Sequence, residues 1–297
     1  MVLKDKVVLI SVSATSSQEK TAELEKTLLT LCDKLSKHQA RIAYGGNLDP
    51  DGFTFKIERK MADRHLGPKS AFIHIIDQPT FLASSFEQLG ELLGSREKLV
   101  ETQVCLGTNV LTLGWRRGRL SFDRGRDTTE TLDRSEFDAF QRRYAVQPED
   151  GYTNSRRAKA DIVDACVAIG GKTGIVGNSA DKFFGRLPGI AEEVYYTLCA
   201  GRPVVPVASL GGCAHDVAVA LRIIRDSSGT EVQHQVGFEQ AMTALVSVSG
   251  KIPEHVRQDL QLAAGPHTAA EISQAVVNVI SRWNAGQPQG GNLYTGM

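Results

Sequence analysis

Val7-Val-Leu-Ile-Ser-Val12 is a nearly unbroken apolar run of strand length, the pattern of a strand buried on both faces of a parallel sheet. After the turn-prone residues 13–17, leucines recur at Leu24, Leu28, Leu31 and Leu35, one helical face that ends near Lys37. A strand over 40–44, closed by Gly45-Gly46, a helix over about 53–64 and a strand over 71–76 continue the alternation. That order predicts βαβ units with right-handed crossovers. Residues 86–100 have a helical pattern and 104–115 have strand character. Further helices are predicted over 155–164, 188–199, 214–224, 239–246 and 269–283, with strands at 165–171 and 203–207. The expectation is an α/β, Rossmann-like fold with a mostly parallel sheet and helices on both faces. It forms a single domain over 1–285, and the Gly-, Gln- and Asn-rich residues 286–297 form a flexible tail. Residues 115–150 stand out as strongly charged, with Arg116, Arg117, Arg119, Arg124 and Arg126 among acids. They have too few apolar residues for a core of their own and are expected to be an excursion. No internal repeat interrupts the pattern.

Composition narrows the partners. The 297 residues carry 34 Lys+Arg and 34 Asp+Glu, a formal charge of zero, which argues against nucleic acid and against a membrane coat. No apolar run approaches the roughly 18–20 residues of a membrane span. The start, Met1 to Lys6, is polar and runs straight into a strand, unlike a secretory signal. Five cysteines without a CxxC pair suit a reducing compartment, so a cytoplasmic location is expected.

The chemistry is announced by glycine pairs. Gly45-Gly46, Gly170-Gly171 and Gly211-Gly212 each sit at the carboxyl end of a predicted strand, the edge where open α/β sheets bind ligands. Glycine admits close approach of backbone to ligand, and bare N–H groups with a helix start suit phosphate. Gly-Gly also simply makes turns. GxGxxG, GxxxxGK[ST], GxSxG and HExxH motifs are absent and the seven histidines are scattered, so no cofactor and no metal are expected. In Gly185-Arg-Leu-Pro-Gly-Ile-Ala-Glu-Glu193, Pro188 suits a first helical turn and puts Glu192 and Glu193 near the helix start. The helix dipole alone accounts for one of these acids. The functional reading is a glutamate on a ribose hydroxyl, or one acting at a sugar carbon. Lys172, Arg186 and Arg156 or Arg157 are the candidate phosphate cations. Tyr195 and Tyr196 suit either base stacking or the core.

The segments Asp164-Ala-Cys-Val-Ala-Ile-Gly-Gly171, Gly185 to Glu193, Gly201-Arg-Pro-Val-Val205 and Gly211-Gly212, taken in order, resemble the SLOG superfamily. It includes the Lonely Guy phosphoribohydrolases, the DNA-processing protein DprA and nucleotide-sensing domains of bacterial defence proteins. Ser11-Val-Ser13 and Tyr44-Gly-Gly-Asn-Leu-Asp-Pro-Asp-Gly-Phe-Thr54 are similar to the SLOG domains associated with TIR and sirtuin proteins. The resemblance covers about 5–225 without the excursion. It implies that Glu193 takes the place of the Lonely Guy catalytic glutamate and Arg156 or Arg157 that of its arginine. The departures are Ile190 in place of threonine and the long segment 170–188 in place of a compact glycine loop, which remodel the phosphate cradle.

Two functions follow from the resemblance. The first is a sensor of a small nucleotide, NAD-derived and of the cyclic ADP-ribose kind, acting through self-association as a homo-oligomer or through an effector protein in antiviral defence. Its ligand residues would be Ser11, Ser13, Gly45, Gly46, Arg157, Gly170, Gly171, Lys172, Arg186, Gly189, Glu193, Gly211 and Gly212. The alternative is a nucleotide N-glycosidase in which Glu193 is catalytic.

Overall fold

A computed structural model describes residues 3–14, 18–62, 65–66, 69–96, 100–123, 129–225 and 232–284. The expected tail, 286–297, and Arg124 and Arg126 lie outside them. Along the chain run β1 (Val7–Ser13), α1 (Gln18–Lys37), β2 (Arg41–Tyr44) and α2 (Phe53–Met61). The short hairpin β3 (His65–Leu66) and β4 (Lys69–Ser70) leads into β5 (Phe72–Ile76), α3 (Gln78–Leu82) and α4 (Phe86–Gly94). Then follow β6 (Val100–Leu106), β7 (Asn109–Arg116), β8 (Arg119–Asp123), β9 (Thr129–Leu132), α5 (Arg134–Arg143) and α6 (Pro148–Ile162). The last part holds β10 (Ala165–Gly170), α7 (Gly189–Cys199), β11 (Val204–Val207), α8 (Cys213–Ala220), α9 (Phe238–Val248), α10 (Arg257–Ala264) and α11 (Ala269–Arg282).

The main sheet has nine strands in the order β11-β10-β1-β2-β5-β6-β7-β8-β9. Pairing is parallel from β11 to β6 and antiparallel from β6 to β9. The strands β2, β5, β10 and β11 are buried along their whole length, which is why they are written as unbroken apolar runs. Helices α1, α10 and α11 pack together against the sheet, and α6, α7, α8 and α9 form a second group. This is the mostly parallel, Rossmann-like α/β fold. From β1 the chain steps through β2 and β5 to β6, then returns to place β10 on the other side of β1. The order reverses between β1 and β10, and a crevice opens at their carboxyl ends.

The described residues of the 115–150 segment fold mainly into strands and helices. Leu120, Phe122, Leu132, Phe137 and Phe140 are buried in a second core completed by Ile76, Phe81, Leu89 and Leu111. Phe81 meets the rings of Phe122, Phe137 and Phe140 edge-on at 6.0, 5.8 and 6.3 Å. The segment needs no core of its own because it shares one. The strand pattern over 104–115 divides into β6 and β7, which turn at Gly107 (φ 62°), and β6 begins at Val100, inside the predicted helix. α6 starts earlier than predicted, with Pro148 in its first turn, and its carboxyl end is capped by Arg202, whose guanidinium donates to the Ala160, Asp161 and Val163 carbonyls. Among the described residues no helix is long and apolar enough to cross a membrane.

Candidate functional site

A cleft of about 440 Å³ opens where the strand order reverses. Its walls come from the end of β1 (Ser11 to Ala14), the β2 turn (Gly45, Gly46, Asn47), Asp77 after β5, and Tyr152, Arg156 and Lys159 of α6. Lys172, Phe183 and Phe184 of the loop after β10 and Gly189, Ile190 and Glu193 of α7 complete it.

Its floor is an ionic chain. Ser11 Oγ donates to Glu193 Oε2 at 2.5 Å, and Glu193 Oε1 meets the Lys159 ammonium, which also lies 3.0 Å from Asp77 Oδ1. Burial of Lys159 works to lower its pKa. Asp77, then Glu193, outweigh that penalty and raise it above the usual lysine value, so the cation is held firmly. Burial and the nearby Glu193 push the Tyr44 phenol up in turn, beyond its usual range.

Adjacent residues on a helix point about 100° apart, which separates the two glutamates of α7. Glu192 turns away from the floor and accepts from Arg156 at 2.6 Å. Arg156 also donates to the Leu187 and Phe184 carbonyls at 3.2 and 2.7 Å, so this pair shapes residues 184–189. The acid that the helix dipole accounts for thus has a side-chain partner besides. α7 has no side-chain cap and its Glu192 N–H donates to Pro188 O, so the first amides, beside Gly189, have no partner within the helix. The loop from β10 to α7 is fixed by Asp181, which accepts from Thr173 N–H, Thr173 Oγ and Ile175 N–H.

Of the expected site residues, Ser11, Ser13, Gly45, Gly46, Lys172, Gly189 and Glu193 line the cleft. Arg157 does not: it is exposed, and the neighbouring Arg156 faces the cleft in its place. Arg186 is exposed and pairs with Asp150 at 2.6 Å. Gly170, Gly171, Gly211 and Gly212 all have positive φ (63°, 94°, 75° and 65°) but lie outside the cleft lining. Gly171 N–H donates to Ser13 O, Cys213 N–H donates to Gly171 O, and a Cβ on Gly212 would collide with the Gly171 carbonyl. The space a Cβ would need is taken by the chain itself, by the Ile190 side chain at Gly171 and by the Gly170 and Gly171 backbone at Gly212. Tyr195 and Tyr196 are also outside the lining, paired edge-on with each other. Several lining residues had no signal that singled them out, among them Asp77, Tyr152, Lys159 and Phe184. Lys159 lies three residues after Arg156, hence on the same helix face, and Asp77 directly follows a buried strand.

Behind the cleft, fully buried His74 links its rim to the protein interior. Its Nδ1 accepts from Arg96 at 3.4 Å, and its Nε2–H donates to the Gly46 carbonyl at 3.3 Å. Arg96 pairs with Glu58 and covers the Phe55 ring. Burial, then Arg96, lowers the His74 pKa from 6.5 to about 3, against the pull of the Gly46 carbonyl. The unfolded chain therefore takes the proton first, so His74 makes stability fall as pH drops from about 6.5 towards 3. In urea unfolding at a series of pH values, His74→Gln should flatten the slope in that window. An unchanged slope would refute the assignment.

Among the described residues, no group of three His, Cys, Asp or Glu side chains is arranged to hold a metal ion. No curated protein matches the chain. Residues 118–264 match the family model described as SLOG cluster2, a stretch that holds Lys159, Lys172 and Glu193 but neither Ser11 nor Asp77. Together with the Rossmann-like sheet, this match shows that the chain belongs to the SLOG superfamily, which points to nucleotide-related binding or processing.

Proposed function

We propose that the cleft binds a small nucleotide as a signal, in the manner of a sensor, and that the signal is NAD-derived, of the cyclic ADP-ribose kind. The observation that carries the binding reading is Glu193, held between Ser11 and Lys159 on the floor and one turn from the uncapped start of α7. A carboxylate has about four lone-pair positions, so one engaged on each oxygen leaves room for ribose hydroxyls. The amide end of α7 and Lys172 at the rim provide positive charge for a phosphate. Lys159 and Arg156 are already matched by Asp77, Glu193 and Glu192, so the cleft suits a ligand of modest charge. The NAD-derived ligand, and transmission by self-association or through an effector protein in antiviral defence, rest on the resemblance to the defence-associated SLOG domains.

A second reading, N-glycosidase activity, is favoured by Asp77. Its Oδ1 lies 3.0 Å from the Lys159 ammonium yet accepts no well-aligned hydrogen bond. Two carboxylates near a sugar carbon can stabilise the positive charge that builds as a base departs.

Calorimetry with AMP, ADP-ribose, cyclic ADP-ribose and NAD, alongside chromatography for free base, separates the readings. Binding without base release is expected, with a ligand-dependent change in size by light scattering. Glu193→Gln removes the charge from a charge-assisted bond and should weaken binding about 10- to 100-fold. Base release with turnover, lost in Glu193→Gln, would establish the hydrolase instead. No binding of any of the four nucleotides would refute both.

A further inference from the structure

We infer that Phe184, backed by Tyr152, is the platform on which the base of the bound nucleotide stacks. The inference rests on the nucleotide reading of the cleft and adds to it a requirement for an aromatic base. Phe184 is a large apolar side chain that lines the cleft and yet is 60% exposed. Its neighbour Phe183 is buried, so the loop anchors one ring in the protein and presents the next.

The platform is set before any ligand arrives. The Tyr152 ring lies nearly parallel to Phe184, with centroids 6.1 Å apart and an interplanar angle of 29°. Tyr152 has the Arg156 guanidinium 5.5 Å from its ring centroid. The same guanidinium holds the Phe184 carbonyl at 2.7 Å. A ring fixed this way loses little freedom when a base covers it. The Lys172 ammonium stands 5.8 Å from the Phe184 centroid, so neighbouring groups meet the base and the phosphate of one nucleotide. Base–aromatic stacking is tolerant of base identity, because every base has a π face.

The test compares probes with and without a base: AMP and ADP-ribose against ribose 5-phosphate, by calorimetry. Phe184→Ala should weaken AMP and ADP-ribose by about 5- to 150-fold and leave ribose 5-phosphate within about twofold. Phe184→Trp should keep the wild-type affinity for AMP. Unchanged AMP affinity in Phe184→Ala, or an equal loss for ribose 5-phosphate, would overturn the stacking role while leaving the nucleotide reading intact. A wild-type protein that binds none of the three probes would overturn that reading and this inference with it.

Discussion

Lys159→Ala should cost about 3–5 kcal/mol of stability and abolish nucleotide binding. The Lys159 side chain is 2% exposed and lies between Asp77 and Glu193. Among the described residues neither carboxylate has another ion pair, so truncation leaves both without a cation. Lys159→Met, which keeps the length and loses the charge, should lose as much, which separates charge from packing. Arginine should not rescue the site, because a Cβ on Gly45 would already run into the ammonium and a guanidinium is larger. Urea unfolding reads the loss as a lowered midpoint with the slope unchanged. The pH dependence supplies a second signature. In the native protein the folded Lys159 pKa lies above its ordinary 10.5, so its contribution is complete below that value and is lost only as pH climbs through the higher folded value. Near neutrality it therefore adds no slope. In Lys159→Ala, burial and mutual repulsion raise a carboxylate's pKa above its unfolded value, so stability should rise as pH is lowered from 7 towards about 5. A variant as stable as the native protein, with no such slope, would refute the ionic floor.

Arg156→Ala ranks second, with an expected loss of about 3 kcal/mol. It strands Glu192, whose side chain is 1% exposed, with only the distant Tyr196 hydroxyl at 3.5 Å beside it, and it releases the Leu187 and Phe184 carbonyls. Arg156→Lys should recover little, since one compact ammonium cannot span three acceptors that a planar fork reaches together. The readout beyond stability is local: amide exchange over 184–189 should quicken, while the β1 and β10 amides keep their relative protection. If Arg156→Lys behaves as native in both measurements, the fork has no such role.

The parallel strands were legible because burial on both faces forces near-continuous apolar runs, as in β1 and β10. The strands β8 and β9 were not, since charged residues such as Arg119, Asp123 and Glu130 flank few apolar positions. Glu193 was legible from its place near a helix start. The glycine pairs were legible only as backbone requirements. A positive φ says that a Cβ is excluded, but not whether a ligand or another strand end fills the space, and at Gly171 and Gly212 it is the chain itself. Choosing between Arg156 and Arg157 needs helix phase to within one residue, finer than the sequence pattern gives. Lys159 has the composition of a solvated helix face, and only the tertiary approach of Asp77 and Glu193 makes it part of a site.

The bond between Ser11 and Glu193 closes a loop of 182 residues, and β10 finds its partner in β1 across a similar gap. The stretch that matches the family model contains β10 but not β1, so by itself it would present an unpaired apolar strand edge, prone to aggregate. Occupancy of the cleft is therefore a report on completed folding. A bound ligand should shield the sheet from proteolysis well beyond its own contacts, and a nick that frees β1 should release it at once.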